Sequence, residues 1–281
     1  MPALIRSLLA AVLLLGVGGL HAQERTSPTL EKIRKSGSVY IGYQERVPFA
    51  YRVEGQLVGH SMDLCRHLVE AIKVQLGQPE LKVVQVPVTA ASRQMMFEAG
   101  TLDLDCGPVL NTRQALGFVA FSVSTQAVGI KVLVRSDSGI RSLHDMQGKR
   151  VVTVAGTNVE AYVRAAVARQ GDNPTFRLGR DADDALRQLQ NAQADAGRLT
   201  VLPDDVAVEP GAIMLRRKDP LFKQLIDQTL IGLMKNGEFT RLYDQWFMAP
   251  IPLDGKNGKR LMLPMSDWLR QLMLTPNDRG L

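Results

Sequence analysis

The stretch VYIGYQERVPFAYRVEGQLVGHSMDLCRHLVEAIKVQLG, residues 39–77, reads as a strand followed by a helix. VYIGY (39–43) has the β-branched and aromatic composition of a strand. From Ser61, the expected cap, the apolar residues Leu64, Leu68, Ile72 and Leu76 recur on one helical face, and Gly77 stops the pattern. A strand feeding an amphipathic helix is the unit from which parallel sheets are built.

On either side of it the unit repeats. Before it, SPTLEKIRKSG (27–37) is a short helix with Ser27 as cap, Pro28 in the first turn and Gly37 at the end. After it come the strand LKVVQVPV, the short helix SRQMMFEAG and the strand LDLDCG. A second run follows: the long strand AVGIKVLVRSDSG, the strand RVVTVAGT leading into NVEAYVRAAVARQG, then TFRLG and the helix DADDALRQLQNAQ. GAIMLRRKDP is a further strand. The amphipathic helices DPLFKQLIDQTLIGLMKNG and EFTRLYDQWF come next, and a last helix is capped at Ser266. Alternating strands and helices define an α/β protein of two units. The pattern alone leaves open which unit the trailing helices join.

Composition limits the function classes. The N-terminal MPALIRSLLAAVLLLGVGGLHA has one Arg, an apolar run and small residues ending at Ala22, the layout of a cleaved secretory signal over 1–22. The formal net charge of +6 contains no block of like charges, so nucleic acid is not an expected partner. No metal cluster, nucleophile triad or phosphate loop is present, and no cofactor is expected. The two cysteines, Cys65 and Cys106, admit two readings: a disulfide in an oxidising compartment, or two small buried hydrophobes.

The order TLEKIRKSGSVYIGYQERVPFAYRVEGQLVGHSMDLCRHLVEAIK, GTLDLDCG, VAFS, AGTNVE and KNGEFTRLYDQWF resembles the family 3 solute-binding proteins of bacterial polar amino-acid ABC importers, and within them the glutamate/aspartate-binding branch. The resemblance implies a type II periplasmic-binding-protein fold, two α/β lobes joined by two hinge strands. Crossings are expected near Ser122–Gln126 and Leu215–Lys218. Lobe 1 would then hold 23–124 plus 218–281 and lobe 2 would hold 125–217, with the C-terminal helices on lobe 1. It also implies a monomeric periplasmic protein whose partners are a small-molecule ligand and the membrane permease subunits of an importer.

Carried over residue by residue, the resemblance names a ligand cradle with altered contents. Gln44 matches the Arg position after the first strand, with Arg46 two residues on; Arg93 in VTAASR matches a ligand Arg. The family's CGSTTN reads CGPVLN here, so Pro108, Val109 and Leu110 replace three hydroxyl residues while Asn111 and Thr112 remain. The Arg that should follow falls on Ala115, and Arg113 is the nearest substitute. In lobe 2, AGTNVE resembles SGTTSE, so Thr157 and Asn158 open a helix whose free N–H groups suit an anion. The acid expected to pair with a ligand ammonium falls on Thr200, or with an insertion on Asp204 or Asp205. The segment from Asp205 to Gly211 is short for the family, so lobe 2 reads as trimmed.

Three functions are compatible with this pattern: a solute-binding protein for a small polar or anionic ligand, an accessory or sensor module that no longer carries solute, and a cyclohexadienyl dehydratase-like enzyme. The last needs a positioned acid or base. Glu45 and His60 are the nearest by position, and no catalytic residue is assigned.

Overall fold

The computed structural model describes residues 26–112, 115–155, 158–190, 199–253 and 262–279. The signal reading over 1–22 and the candidates Arg113 and Thr157 lie outside them. The first half contains α1 (Pro28–Ser36), β1 (Ser38–Tyr43), β2 (Tyr51–Val53), β3 (Gln56–Val58), α2 (His60–Leu76), β4 (Lys82–Pro87), α3 (Ala90–Glu98) and β5 (Leu104–Asp105). Then follow β6 (Val119–Arg135), β7 (Arg150–Val154), α4 (Asn158–Arg169), β8 (Thr175–Gly179), α5 (Ala182–Gln190) and β9 (Leu199–Arg216). The chain closes with α6 (Pro220–Lys235), α7 (Glu238–Phe247) and α8 (Asp267–Leu274).

The helix limits follow the local chemistry. Ser27 accepts a hydrogen bond from the Leu30 N–H at 3.1 Å, and Gly37 ends α1 in the left-handed region at φ 63°. α2 differs from the expectation: it starts at His60, one residue before Ser61, with Gly59 at φ 132° in the cap position and no side-chain cap. A side chain at Gly59 would run into the Phe49 carbonyl, so close packing of the 46–50 turn decides this start. Between β1 and α2 the sequence hides a hairpin, β2–β3. Glu54 and Gly55 turn it with φ of 50° and 79°, the pair of positive angles a tight hairpin needs.

One five-stranded sheet, in the order β4-β1-β5-β9-β6, forms the base of the first lobe. β1 runs parallel to β4 and β5, and β9 runs antiparallel to β5 and β6. The main core lies on one face. Leu64, Leu68 and Ile72 of α2 meet Phe222, Ile226 and Leu230 of α6 and Phe239 and Trp246 of α7, all buried. The trailing helices α6 and α7 therefore share one core with α2. A smaller cluster, Phe97, Leu102, Val109, Phe121 and Met214, fills the other face.

β6 and β9 do not end with the first lobe. They continue as one antiparallel ribbon, paired from Val119↔Arg216 out to Arg135↔Leu199, with bulges at four places. Ser124 pairs with Ala212 and Gln126 with Gly211, while Met214 and Leu215 already sit beside β5. Gly211 and Ala212 thus stand just before the stretch of β9 that pairs with β5. The ribbon's far end packs with β7, β8 and α4 around Val134, Met146, Val151, Val163, Val167, Leu202 and Val206. β7 and β8 form a separate two-stranded parallel sheet. The 205–211 segment carries no helix; it is part of one strand, β9.

The structure settles the cysteine question. Cys65 of α2 and Cys106 after β5 form a disulfide, with Cα atoms 6.2 Å apart and both residues buried. α2 crosses behind β5 on the core face, a proximity that sequence spacing does not disclose.

Candidate functional site

In an open α/β sheet the carboxyl ends of parallel strands are the natural place for a ligand. Here β1 and β5 end side by side, with Gly42 paired to Asp105. Gln44 follows β1, and Arg93 points in from α3, brought to this edge by a capping box of Thr89 and Ser92. Arg93 binds the Asp105 carboxylate through Nε, and its Nη2 donates to Gln44 Oε1 at 3.3 Å. The Gly107 N–H donates to Asp105 Oδ1 at 2.7 Å. Arg93 is 8% exposed and Asp105 fully buried. The structure therefore brings Gln44 and Arg93 together around an acid, Asp105, that sequence reasoning passed over. Its signal was present in LDLDCG: a carboxylate in a buried strand needs a partner. Asp103, the other acid in that run, is held by Lys32 Nζ at 2.7 Å and the Tyr40 N–H at 2.9 Å.

The loop after Cys106 is tied to β9. Leu110 bridges Gly211, the Ala212 N–H donates to Val109 O at 3.0 Å, and the Asn111 N–H donates to Pro210 O at 2.9 Å. Val109 turns into the smaller core and is 6% exposed, so it is packing and not a cleft wall. Asn111 is buried, and its Nδ2 donates to Asp278 O at 2.8 Å. Asn111 Oδ1 has no partner among the described residues. Thr112 Oγ1 accepts from the Ala115 N–H at 3.3 Å and so caps the turn Ala115–Gly117.

The remaining candidates are scattered. Arg46 is exposed in a tight turn where its N–H donates to Ala50 O. Asn158 is the first residue of α4. Thr200 stands near the outer end of the ribbon, opposite Val134, with its Oγ1 2.5 Å from Ser136 Oγ. At ~3.3 Å per residue it lies roughly 35 Å along the strand from Gly211. Asp205, also exposed, pairs with Lys131 Nζ at 3.0 Å. Thr200 and the strand-borne Asp205 are therefore not gathered with Gln44 and Arg93.

The middle of the ribbon is polar and buried: Ser122, Ser124, Thr125 and Gln126 are all shielded from solvent. Ser122 Oγ accepts from the Ile213 N–H at 3.1 Å, Val123 N–H donates to Asp227 Oδ1 at 2.8 Å, and Ser124 N–H donates to Asn277 O at 2.8 Å. Gln126 Nε2 reaches Ser61 Oγ at 3.4 Å. The chain's last described segment thus lies along this part of the ribbon and fastens the same loop through Asn111.

The two acid/base candidates sit differently. His60 is 1% exposed, ringed by Phe239, Tyr243 and Phe247 at 5.3–6.0 Å, and burial pushes its pKa down to about 3. It is a neutral core imidazole. Glu45 is exposed and lies 3.5 Å from Arg52 Nε.

Comparison with known proteins agrees with this architecture. Residues 39–249 match the model of the bacterial extracellular solute-binding proteins, family 3, and the chain belongs to that family. It is 32% identical to the L-glutamate/L-aspartate-binding protein of Pseudomonas aeruginosa, over 99% of this chain and 97% of that one. It is 31% identical to the glutamate/aspartate import solute-binding protein of Salmonella typhimurium, over 99% of both. Among solved structures, an ancestral amino acid-binding protein described as a precursor of cyclohexadienyl dehydratase matches with a TM-score of 0.56 at 24% identity, over 79% of this chain and 99% of that one. A variant of ArgBP from T. maritima matches with a TM-score of 0.56 at 22% identity, over 78% and 98%. These structures share the two-lobed type II fold.

Proposed function

We propose that the chain is the periplasmic solute-binding component of an ABC importer, exported by its N-terminal signal, and that its ligand is a small amino acid, acidic ones first. The observation that carries the reading is coverage: two glutamate/aspartate-binding proteins align over 97–99% of their length, so neither lobe nor crossing is missing from the match. On this reading lobe 1 is the five-stranded sheet with α1–α3 and α6–α8. Lobe 2 is the part between the crossings at 124–126 and 211–212, and the ligand lies where Arg93, Gln44 and the start of α4 converge on closure.

Calorimetric titration of the purified protein against the twenty L-amino acids, dicarboxylates and small organic acids tests this. Saturable binding of glutamate or aspartate supports the reading, and silence across the panel overturns it. A second reading, an accessory module without solute, is favoured by one observation. The donors of the lobe 1 edge are satisfied within the protein, Arg93 by Asp105 and Asn111 by Asp278. The same silence would support it.

A further inference from the structure

The ribbon carries a carboxylate that neither the sequence pattern nor the lobe 1 edge uses. Glu209 lies on β9 opposite Val128, two residues before Gly211. β9 pairs residue by residue from Ala207 to Ala212, so Glu209 and Gly211 present the same face. That face looks toward lobe 1. A side chain at Gly211 would lie 3.2 Å from Val109 O and 3.0 Å from Gln126 Oε1. From lobe 2, the Tyr162 hydroxyl hydrogen-bonds to Glu209, and burial followed by the carboxylate's charge raises the Tyr162 pKa. Tyr162 is four residues after Asn158, hence on the helix face below the start of α4. Glu209 therefore sits between the 107–112 loop and the opening turn of α4, where the lobes meet.

Its state is unusual. Glu209 is 6% exposed, Oε1 has no hydrogen-bond partner, and no cation pairs with it among the described residues. A buried carboxylate without a counter-charge is costly, and an incoming cation relieves that cost. Its cross-strand neighbour Val128 is 41% exposed, so the face beside it is open. Thr200, Asp204 and Asp205, the positions expected to supply an acid, lie farther out along the same strand.

We propose that Glu209 is the group that receives the ligand's ammonium in this protein, so that the crossing strand, and not a lobe 2 turn, supplies the acid. The inference rests on the proposed function. The test uses the full chain and its variants E209Q and E209D, titrated calorimetrically with the twenty L-amino acids and, for each that binds, its deaminated acid (glutarate for glutamate). The wild type is expected to prefer the amino acid. E209Q is expected to lose at least tenfold in affinity for it and to equalise the two ligands. E209D, which keeps the charge one methylene shorter, is expected to keep part of the preference, and it carries the test if E209Q does not fold. Wild-type preference in E209Q, or in E209D an equal weakening of both ligands, would overturn the assignment and leave the solute-binding reading standing. A wild type that binds no amino acid would overturn both.

Discussion

Asn111 donates its side-chain amide to the main-chain oxygen of Asp278, 2.8 Å away, across 167 residues of sequence. The bond joins the loop after β5 to the segment that follows α8. Ser124 adds a main-chain bond to Asn277 O, and Lys223 Nζ lies 3.1 Å from Asp278 Oδ2. Asn111→Ala removes this bond from a buried side chain and is expected to cost about 0.5–1.5 kcal/mol. Urea unfolding would show a lower midpoint at unchanged slope. An unchanged midpoint would mean that the contact contributes nothing.

Arg93 and Asp105 form a buried ion pair, so the two single variants and the double variant should behave differently. Arg93→Met strands a buried carboxylate and is expected to destabilise by about 3–5 kcal/mol. Arg93→Met with Asp105→Leu is expected to recover most of that loss, because two apolar side chains replace two charges. Thermal melts of the three variants decide it. Equal destabilisation in single and double variants would contradict the pairing.

The Cys65–Cys106 disulfide spans 41 residues. On a chain-entropy account, a loop of that length confers about 4 kcal/mol by restricting the unfolded chain. Cys65→Ser with Cys106→Ser, compared with the oxidised protein in denaturant, should show a loss of that order. Mass spectrometry of the native protein should find no free thiol at either position.

His60 makes stability depend on pH. Its folded-state pKa, about 3, lies below the unfolded value of about 6.5, so between these values the unfolded chain binds the extra proton. The contribution is complete above pH 6.5 and falls as pH drops through the window toward 3, by about 1.4 kcal/mol per pH unit for this one group. His60→Phe, packed among the same rings, should flatten that part of the stability curve. An identical slope in the variant would place its origin in other groups.

The order of elements was legible because each strand and helix carries its own periodicity. Leu64, Leu68 and Ile72 are buried as their spacing requires, and Ser27, Gly37 and Ser266 bound their helices as read. The length of β9 was not legible. Pro203, Asp204, Asp205 and Pro210 break the strand pattern, and only pairing with β6 at an exposed ribbon edge accommodates them. The candidate site was legible in part. Gln44 and Arg93 do meet, but Asp105, which joins them, is a fact of strand alignment between β1 and β5. Glu209 was hidden for the same reason: its surroundings come from the loop, the ribbon and α4 together, and no local window contains all three.

The disulfide also bears on how this loop can change. Cys106 fixes covalently the point from which residues 107–112 depart, and Gly211 and Ala212 fix where they land. Between two such anchors, the side chains need not hold the loop in place. A new side chain at Pro108 or Leu110 is then a change of chemistry without a change of scaffold. With Val109 committed to the smaller core, the anchoring leaves the half-buried Pro108 and Leu110 as the positions to vary at low structural risk when redirecting what the protein selects.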